Sequence, residues 1–293
     1  ANNEKIALLT QTFASPSTTK LIDDFKKKYE NVEHITYDAI SNSKALDAFE
    51  IAYGVRALPS FDFSKADYIV SVGADFLGDW QGGDHDSGYV KGRIPSRNFD
   101  GKANMSKHIQ IESNMSLSGS NADKRIPMTP SQQKIALAKI FSYISGLSID
   151  AELPKKFDLS IRKIAEDLKK AGKKGVIITG LDDVNAHVIT YAINDLLKSS
   201  CLLKDEISLI RSGKDEEINN LVDNLNNGSV SGLIMVGVNP ACTLPNADKF
   251  ISGLKKTKFS ICFSMKSDES AIHSKWVAAM PHFLESWGDN EMK

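Results

Sequence analysis

Two glycine turns carry most of the chemistry this chain could do. One closes the apolar run Tyr68-Ile-Val-Ser-Val-Gly73-Ala-Asp75, and the other closes Leu233-Ile-Met-Val-Gly237-Val-Asn239-Pro240. A glycine just past a strand lets backbone come close to a ligand, and a helix beginning nearby offers unpaired N–H groups to a phosphate. The turn Thr179-Gly180 and the polar stretch Ser116 to Asp123 are of the same kind. The candidate cofactor-binding residues are therefore Gly73, Asp75, Asn121, Asp123, Gly180, Gly237, Asn239 and Pro240. Glycine also ends strands for steric reasons alone. The chain holds neither Gly-x-Gly-x-x-Gly nor Gly-x-x-x-x-Gly-Lys-Ser/Thr, which weakens simple NAD and ATP readings.

Other reactive side chains are scattered. The six histidines (34, 85, 108, 187, 273 and 282) make no nucleophile–base–acid arrangement with their neighbours. His85, between Asp84 and Asp86, reads as an exposed polar turn rather than a metal site. His187 reads as a packing or capping residue, and His282 as an interface or core residue. The three cysteines, Cys201, Cys242 and Cys262, form no Cys-x-x-Cys pair, so no zinc or iron–sulfur site is expected from this segment. Cys262 sits in an apolar run as a small core residue. No catalytic residue and no metal ligand are assigned.

The elements that position the turns follow from periodicity. Strands are expected at 5–10, 33–37, 68–73, 108–112, 175–179, 206–210, 232–236 and 258–263. Helices are expected from Ser15-Pro16-Ser17 to about Tyr29, with Leu21, Ile22 and Phe25 on one face, and from Ser41 to Gly54. Further helices are expected at 131–145, 158–171, 184–198, 215–226 and 246–255. Residues 78–104, rich in Gly, Asp, Ser and Asn, read as a long surface excursion. Apolar strands alternating with amphipathic helices predict an α/β chain of two Rossmann-like, doubly wound, mostly parallel sheet domains. Gly146 to Pro154 reads as the linker, giving domains 1–150 and 151–293, the second truncated at its end. Each half repeats a strand–turn–strand unit followed by a small-residue stretch, Ser118 to Asp123 and Ser267 to Ala271. That repeat predicts two lobes facing a shared cleft, suited to a ligand with two phosphate-bearing arms.

Composition narrows the classes. The chain has 293 residues, 41% hydrophobic and 25% charged, with a formal net charge of -1. The balance of 36 basic and 37 acidic side chains argues against nucleic acid or anionic lipid as the main partner. No apolar run reaches the roughly 18–20 residues of a membrane span. The abrupt end after Trp287 leads us to expect a piece of a longer protein.

Asp67 to Gly73, Lys107-His-Ile-Gln-Ile111, Ala122-Asp123 and Ile126-Pro-Met-Thr-Pro130 resemble one Rossmann-like domain of the molybdopterin oxidoreductases. Leu233 to Gly288, with Gly237-Val-Asn-Pro240, Pro245-Asn246, Phe250 and Glu269-Ser-Ala271, resembles the companion domain. Within that family, Ala66 to Trp80, Met105 to Asp123 and His282 to Asp289 are most similar to the large iron–sulfur subunit of alternative complex III, a bacterial quinol:electron-acceptor oxidoreductase. The resemblance implies a non-catalytic structural domain of a respiratory electron-transfer subunit that has lost the family's cofactor. It implies no cofactor in this segment, iron–sulfur clusters in another part of the full-length protein, and a place on the periplasmic side of the inner membrane. The implied partners are other subunits of a membrane complex and the cluster-bearing domain of the same subunit. The Trp276 to Trp287 region and the 78–104 excursion would make those contacts. Two alternatives stand beside it: a segment of an active enzyme binding molybdopterin guanine dinucleotide, and an unrelated nucleotide-binding α/β enzyme. The chain departs from the family at Leu196-Leu-Lys-Ser-Ser-Cys-Leu202, where many members have a Leu-Gly-Asn-x-Gly turn.

Overall fold

The computed structural model describes residues 4–97 and 103–291. Their elements run β1 (Lys5–Thr10), α1 (Pro16–Lys28), β2 (Val32–Thr36), α2 (Ser43–Tyr53), β3 (Leu58–Phe61), β4 (Tyr68–Val72), α3 (Asp86–Arg93), β5 (Ser96–Arg97) and β6 (Ala103–Asn104). Then follow β7 (Lys107–Glu112), α4 (Leu117–Ser120), β8 (Lys124–Pro127), α5 (Pro130–Ser145), α6 (Lys155–Ala171), β9 (Gly175–Thr179), α7 (Val184–Leu197) and β10 (Leu202–Ser208). The chain continues through α8 (Asp215–Asn227), β11 (Val230–Val236), α9 (Pro240–Thr243), α10 (Ala247–Lys256), β12 (Phe259–Ser264), α11 (Glu269–His273) and β13 (Trp276–Ala279). The fold is α/β, with two main sheets that are parallel throughout and flanked by helices, as Rossmann-like doubly wound units are.

The chain divides into Ala1–Ser43 with Ile210–Lys293, here unit 1, and Lys44–Leu209, here unit 2. A division at residue 150 does not describe these units. Strand β9, in the expected second domain, pairs in parallel with β4 in the order β8-β7-β4-β9. Strand β1, in the expected first domain, pairs with β11 in the order β13-β12-β11-β1-β2. Each sheet is thus completed from the other half of the sequence, by β9 in unit 2 and by β1 and β2 in unit 1. The expected linker lies inside unit 2: α5 and α6 on either side of it bury Leu137, Ile140, Ile161, Ile164 and Leu168 in one core.

Local sequence explains most of the elements. Tyr68–Val72 and Gly175–Thr179 are buried at every position: β4 is a central parallel strand covered on both faces, and β9, although it ends its sheet, is covered by α6 and α7. Helix α1 begins as its sequence predicts: the Ser15 hydroxyl accepts from the Thr18 N–H, and Pro16 takes the first helical position. Helix α5 has a full capping box between Thr129 and Gln132 and ends at Gly146 in the left-handed region.

Three expectations need correction. The predicted apolar face of α1 is not a core face, since no α1 residue is buried and Leu21 is 68% exposed. The excursion at 78–104 contains helix α3, whose Tyr89 packs with Phe63 and Phe76 under the sheet; its residues 98–102 lie outside the described residues. Strands β3, β8, β10 and β13 are edges or a small antiparallel pair (β3 with β10); only β10 was expected, at 206–210. Among the described residues, no helix is long and apolar enough to cross a membrane.

Candidate functional site

Gly73, Asp75 and Gly180 lie at the carboxyl ends of β4 and β9 in unit 2, and Gly237, Asn239 and Pro240 at that of β11 in unit 1, where doubly wound sheets bind ligands. Asn121 and Asp123 do not join them: they lead into β8, and Asp123 is bonded to His108 at the amino end of β7, on the opposite edge of the sheet. Gly73 and Gly237 take the same conformation, with φ of 70° and 68°. Only a residue without Cβ holds this left-handed turn cheaply.

Beyond each glycine the same hydrogen-bonded unit appears twice. Asp75, two residues after Gly73, accepts at Oδ1 from both the N–H and the hydroxyl of Ser118, each at 2.8 Å. The Ser118 hydroxyl in turn accepts from the Leu77 N–H at 2.9 Å. Asn239, two residues after Gly237, accepts at Oδ1 from the Ser270 N–H at 3.1 Å and its hydroxyl at 2.7 Å. The Ser270 hydroxyl accepts from the Ala241 N–H at 3.0 Å. Ser118 and Ser270 both occupy the second position of a short helix, α4 or α11, capped by Ser116 or Asp268. The duplication read in the sequence is thus reproduced atom for atom, one strand over from each glycine turn.

This unit joins the end of one strand to the start of the helix after its neighbour, and it turns the acceptor oxygens inward. Asp75→Ala and Ser118→Ala should each destabilise the protein by about 1–3 kcal/mol. The double variant should depart from additivity by at least about 0.5 kcal/mol in urea denaturation. Additive losses would show that the two groups do not act as one unit, and the same cycle applies to Asn239 and Ser270.

The remaining candidates are engaged locally. Asn121 ends α4 and donates from Nδ2 to the Leu117 carbonyl at 2.8 Å. Asp123 accepts from Arg93 Nη1 and Nη2 at 2.7 and 2.9 Å and from the His108 N–H at 2.7 Å. Burial alone would raise the Asp123 carboxyl; the bonds from Arg93 and from the His108 backbone bring it below its ordinary range. Pro240 is buried at the first position of α9. Gly180 lies where a Cβ would stand 2.4 Å from the Gly73 carbonyl oxygen, so its glycine serves the approach of two strand ends.

One face of β7 carries a buried polar ladder, His108, Gln110 and Glu112, outside the candidate residues. Gln110 Nε2 donates to the Ala74 carbonyl at 3.0 Å and to Glu112 Oε2 at 3.1 Å, leaving its Oε1 to accept from His108 Nε2 at 3.1 Å. The other ring nitrogen of His108 faces the Tyr89 hydroxyl at 3.3 Å. The Tyr89 hydroxyl gives its proton to the Asn121 carbonyl at 3.0 Å, the shorter of its two contacts, and burial pushes the His108 pKa down to about 4. Glu112 would be raised by burial, but the Ser116 hydroxyl and Arg125 hold its carboxyl below the usual range. This is an ionised carboxylate fully furnished with partners, which suits architecture better than proton transfer.

His85 is not an exposed polar turn. Its ring packs against Trp80, Phe63 and Phe61 at centroid distances of 5.2, 5.6 and 6.5 Å, and burial lowers its pKa. His187 is 6% exposed, as a packing residue should be. His282 is exposed rather than core, and its Nδ1 accepts from the Leu284 N–H at 3.2 Å to cap a single 3-10 turn. Cys262 is buried, as expected. Among the described residues no group of three or more His, Cys, Asp or Glu could hold a metal ion. Ser118 and Ser270 stand in the small-residue stretches of the repeat but not among the candidate residues. Aligning the two glycine turns would have found them, because each follows a cap residue, Ser116 or Asp268, by two positions.

The strand-end geometry and parallel sheets define an α/β chain of two Rossmann-like, doubly wound units. No protein-family model matches the sequence, and no curated protein matches it. Solved structures do. A chain of the formyltransferase/hydrolase complex (FhcABCD) from Methylorubrum extorquens, in complex with methylofuran, is similar with a TM-score of 0.59 at 14% identity, over 94% of this chain and 79% of that one. Acetylene hydratase from Pelobacter acetylenicus is similar with a TM-score of 0.63 at 10% identity, over 92% of this chain. This chain spans 48% of the hydratase, about half its length. At these identities the likeness is one of fold.

Proposed function

We propose that this chain is a non-catalytic structural domain of the iron–sulfur subunit of a respiratory quinol oxidoreductase, descended from molybdopterin enzymes. One observation carries the reading. The strand-end groups that would face a nucleotide arm, Asp75 and Asn239, are bonded instead to Ser118 and Ser270 of their own unit. The motif resemblance to the molybdopterin oxidoreductases and the fold likeness to acetylene hydratase support the descent. On this reading the segment binds no cofactor, and the clusters belong to another part of the subunit. That cluster-bearing part and the other subunits of the complex are the partners, on the periplasmic side of the inner membrane.

The fold likeness to acetylene hydratase favours a second reading, a segment of an active molybdopterin-guanine-dinucleotide oxidoreductase, because a catalyst is built on a similar fold there. Oxidative extraction of pterin and metal analysis of the full-length protein separate the two. The structural reading expects neither stoichiometric pterin nor molybdenum or tungsten, and either would overturn it. A thermal scan with guanine nucleotides adds a second measure. A ligand at a hundred times its Kd stabilises by about 2.7 kcal/mol. For a domain of this size that is a rise of roughly 5–10 °C, and the structural reading expects an unmoved transition.

A further inference from the structure

One edge of the unit 1 sheet is left open. In the order β13-β12-β11-β1-β2, strand β13 bonds to β12 on one side and to no described strand on the other. A row of free N–H and C=O groups recruits another strand unless the chain blunts it, commonly with charge or proline. Among the described residues, the other ends of the two parallel sheets are protected. Strand β2 carries the exposed Glu33, β8 carries Lys124, Arg125 and Pro127, and β9 is buried at every position. Strand β13 reads Trp276-Val-Ala-Ala279, without charge or proline, and Trp276 and Val277 are 64 and 53% exposed. Lys275, just before it, could have supplied the charge. Its Nζ is drawn inward, donating to the Thr257 and Lys258 carbonyls ahead of β12 at 2.5 and 3.0 Å.

One bond fixes which way the free groups point. The Met280 N–H donates to the Ser264 carbonyl at the end of β12. Backbone groups alternate sides along a strand, so those of Ala278 and Trp276 also face β12, and those of Val277 and Ala279 face outward. Pro281 comes next in the outward series and has no N–H, which closes the row.

That short row is complementary to itself. Set antiparallel to a second β13, Val277 of one copy faces Ala279 of the other, and each such pair exchanges two N–H···O bonds. Ala278 then faces its own copy across a twofold axis, and Trp276 faces Met280. A branched side chain lies opposite a methyl, the smallest pair sits on the axis, and the indole meets a thioether, a favourable contact.

Apolar surface surrounds the edge. Ile272 precedes the strand and Phe283, Leu284 and Trp287 follow it, all exposed. Trp276, Phe283 and Trp287, at roughly 100–250 Å² each, would supply about half of the roughly 800 Å² per partner that a stable interface buries. A twofold contact uses each of them twice. Glu285 and Asp289, set among these residues, disfavour an anionic lipid surface.

We propose that β13 is a dimerisation edge: two copies of this chain pair their β13 strands antiparallel, with Ala278 on the twofold axis, and join their unit 1 sheets into one. This goes beyond the function proposed above and does not rest on it, since a pterin-free chain that stays monomeric sinks this proposal alone.

Sedimentation equilibrium of the full chain should give twice its 32.1 kDa, with a Kd of about 10 µM or tighter. Val277→Lys and Ala279→Pro should each weaken the dimer at least tenfold. The first brings two ammonium groups together on one face, and the second removes an outward N–H while leaving the bonds to β12 in place. If Ala279→Pro does not fold, Val277→Lys gives the same readout. Crosslinking tests the register in a Cys242→Ser background, where the remaining cysteines, Cys201 and Cys262, are buried. In the Ala278→Cys variant the two thiols face each other with Cα atoms about 4.5 Å apart, a separation that a disulfide spans. Diamide, which takes up the two thiol protons and two electrons, should crosslink it at least tenfold faster than the Ala279→Cys variant, whose partner would be Val277. A chain that stays monomeric at about 100 µM, tenfold above the expected Kd, overturns the proposal. So does a dimer that neither Val277→Lys nor Ala279→Pro weakens, or equal crosslinking of the two cysteine variants. A monomer that co-sediments with phosphatidylglycerol vesicles gives the edge to a membrane and overturns it too.

Discussion

Gly180→Ala is expected to cost at least about 3 kcal/mol of stability, the top of the usual range for overpacking, and to lower Tm by roughly 6–12 °C. The added methyl would meet the Gly73 carbonyl oxygen at 2.4 Å and the Ala74 Cα at 2.8 Å, which are backbone atoms and not flexible side-chain ends. Neither partner is free to retreat. The Gly73 N–H is bonded to the Ile111 carbonyl at 2.8 Å, and the Gly180 N–H to the Val72 carbonyl at 3.0 Å. Moving either would open the β4 ladder. Gly228→Ala is the matched control. It carries a φ of 81° with nothing within 4 Å of the added Cβ, so only the backbone preference is disturbed, at about 1–2 kcal/mol. Urea denaturation of both variants decides the matter. A Gly180→Ala loss no larger than the control's would show that the strand ends of β4 and β9 can separate, and the close approach would lose its structural meaning.

The second large effect is a fall in stability between pH 6.5 and pH 4. His108 and His187 both have pKa values lowered to about 4 by burial, against 6.5 in the unfolded chain. Between those values the unfolded state binds more protons than the folded one, so stability rises with pH and is lost as pH falls. The stabilisation from neutral burial is complete above 6.5 and gone by about 4. Each histidine contributes a slope of up to about 1.4 kcal/mol per pH unit in that window. His34 and His85, also lowered by burial, act in the same direction. The depressed carboxylates Glu112, Asp123 and Asp183 have the same sign, but their losses fall below about pH 4.5. Urea midpoints at pH 7 and pH 5 check this, with the m-value confirming a common unfolded state. His187→Leu should remove the share of one of the two largest contributors, less than half of the slope. A midpoint unchanged between the two pH values would mean that the buried rings titrate normally.

The candidate residues were legible as positions but not as functions. Gly73 and Gly237 announce themselves because an apolar run ending in glycine has few structural meanings, and both take the left-handed turn. Asp75 and Asn239 sit where a ligand-facing residue would be sought. Their direction is set by Ser118 and Ser270, which lie 43 and 31 residues further along. A hydrogen bond across that separation leaves no local pattern. The same holds for Asp289, whose partners Ser15 and Ser17 lie 274 and 272 residues away.

The sequence by itself determined the fold class, the strand cores and the duplication. A central parallel strand must be apolar on both faces, helices must alternate with such strands, and a turn repeated in two places keeps its glycine. The strand Lys124–Pro127 escaped notice because it is four residues long with a single buried position, whereas β9, which also ends its sheet, keeps a continuous apolar run. The assignment of strands to sheets was decided by tertiary structure alone. The runs Lys5–Thr10 and Gly175–Thr179 are both apolar segments with no feature that selects a neighbour. Backbone hydrogen bonding is the same for every parallel partner. Only packing of the complete chain placed β9 beside β4 and β1 beside β11, so that each unit is completed by strands from the other half.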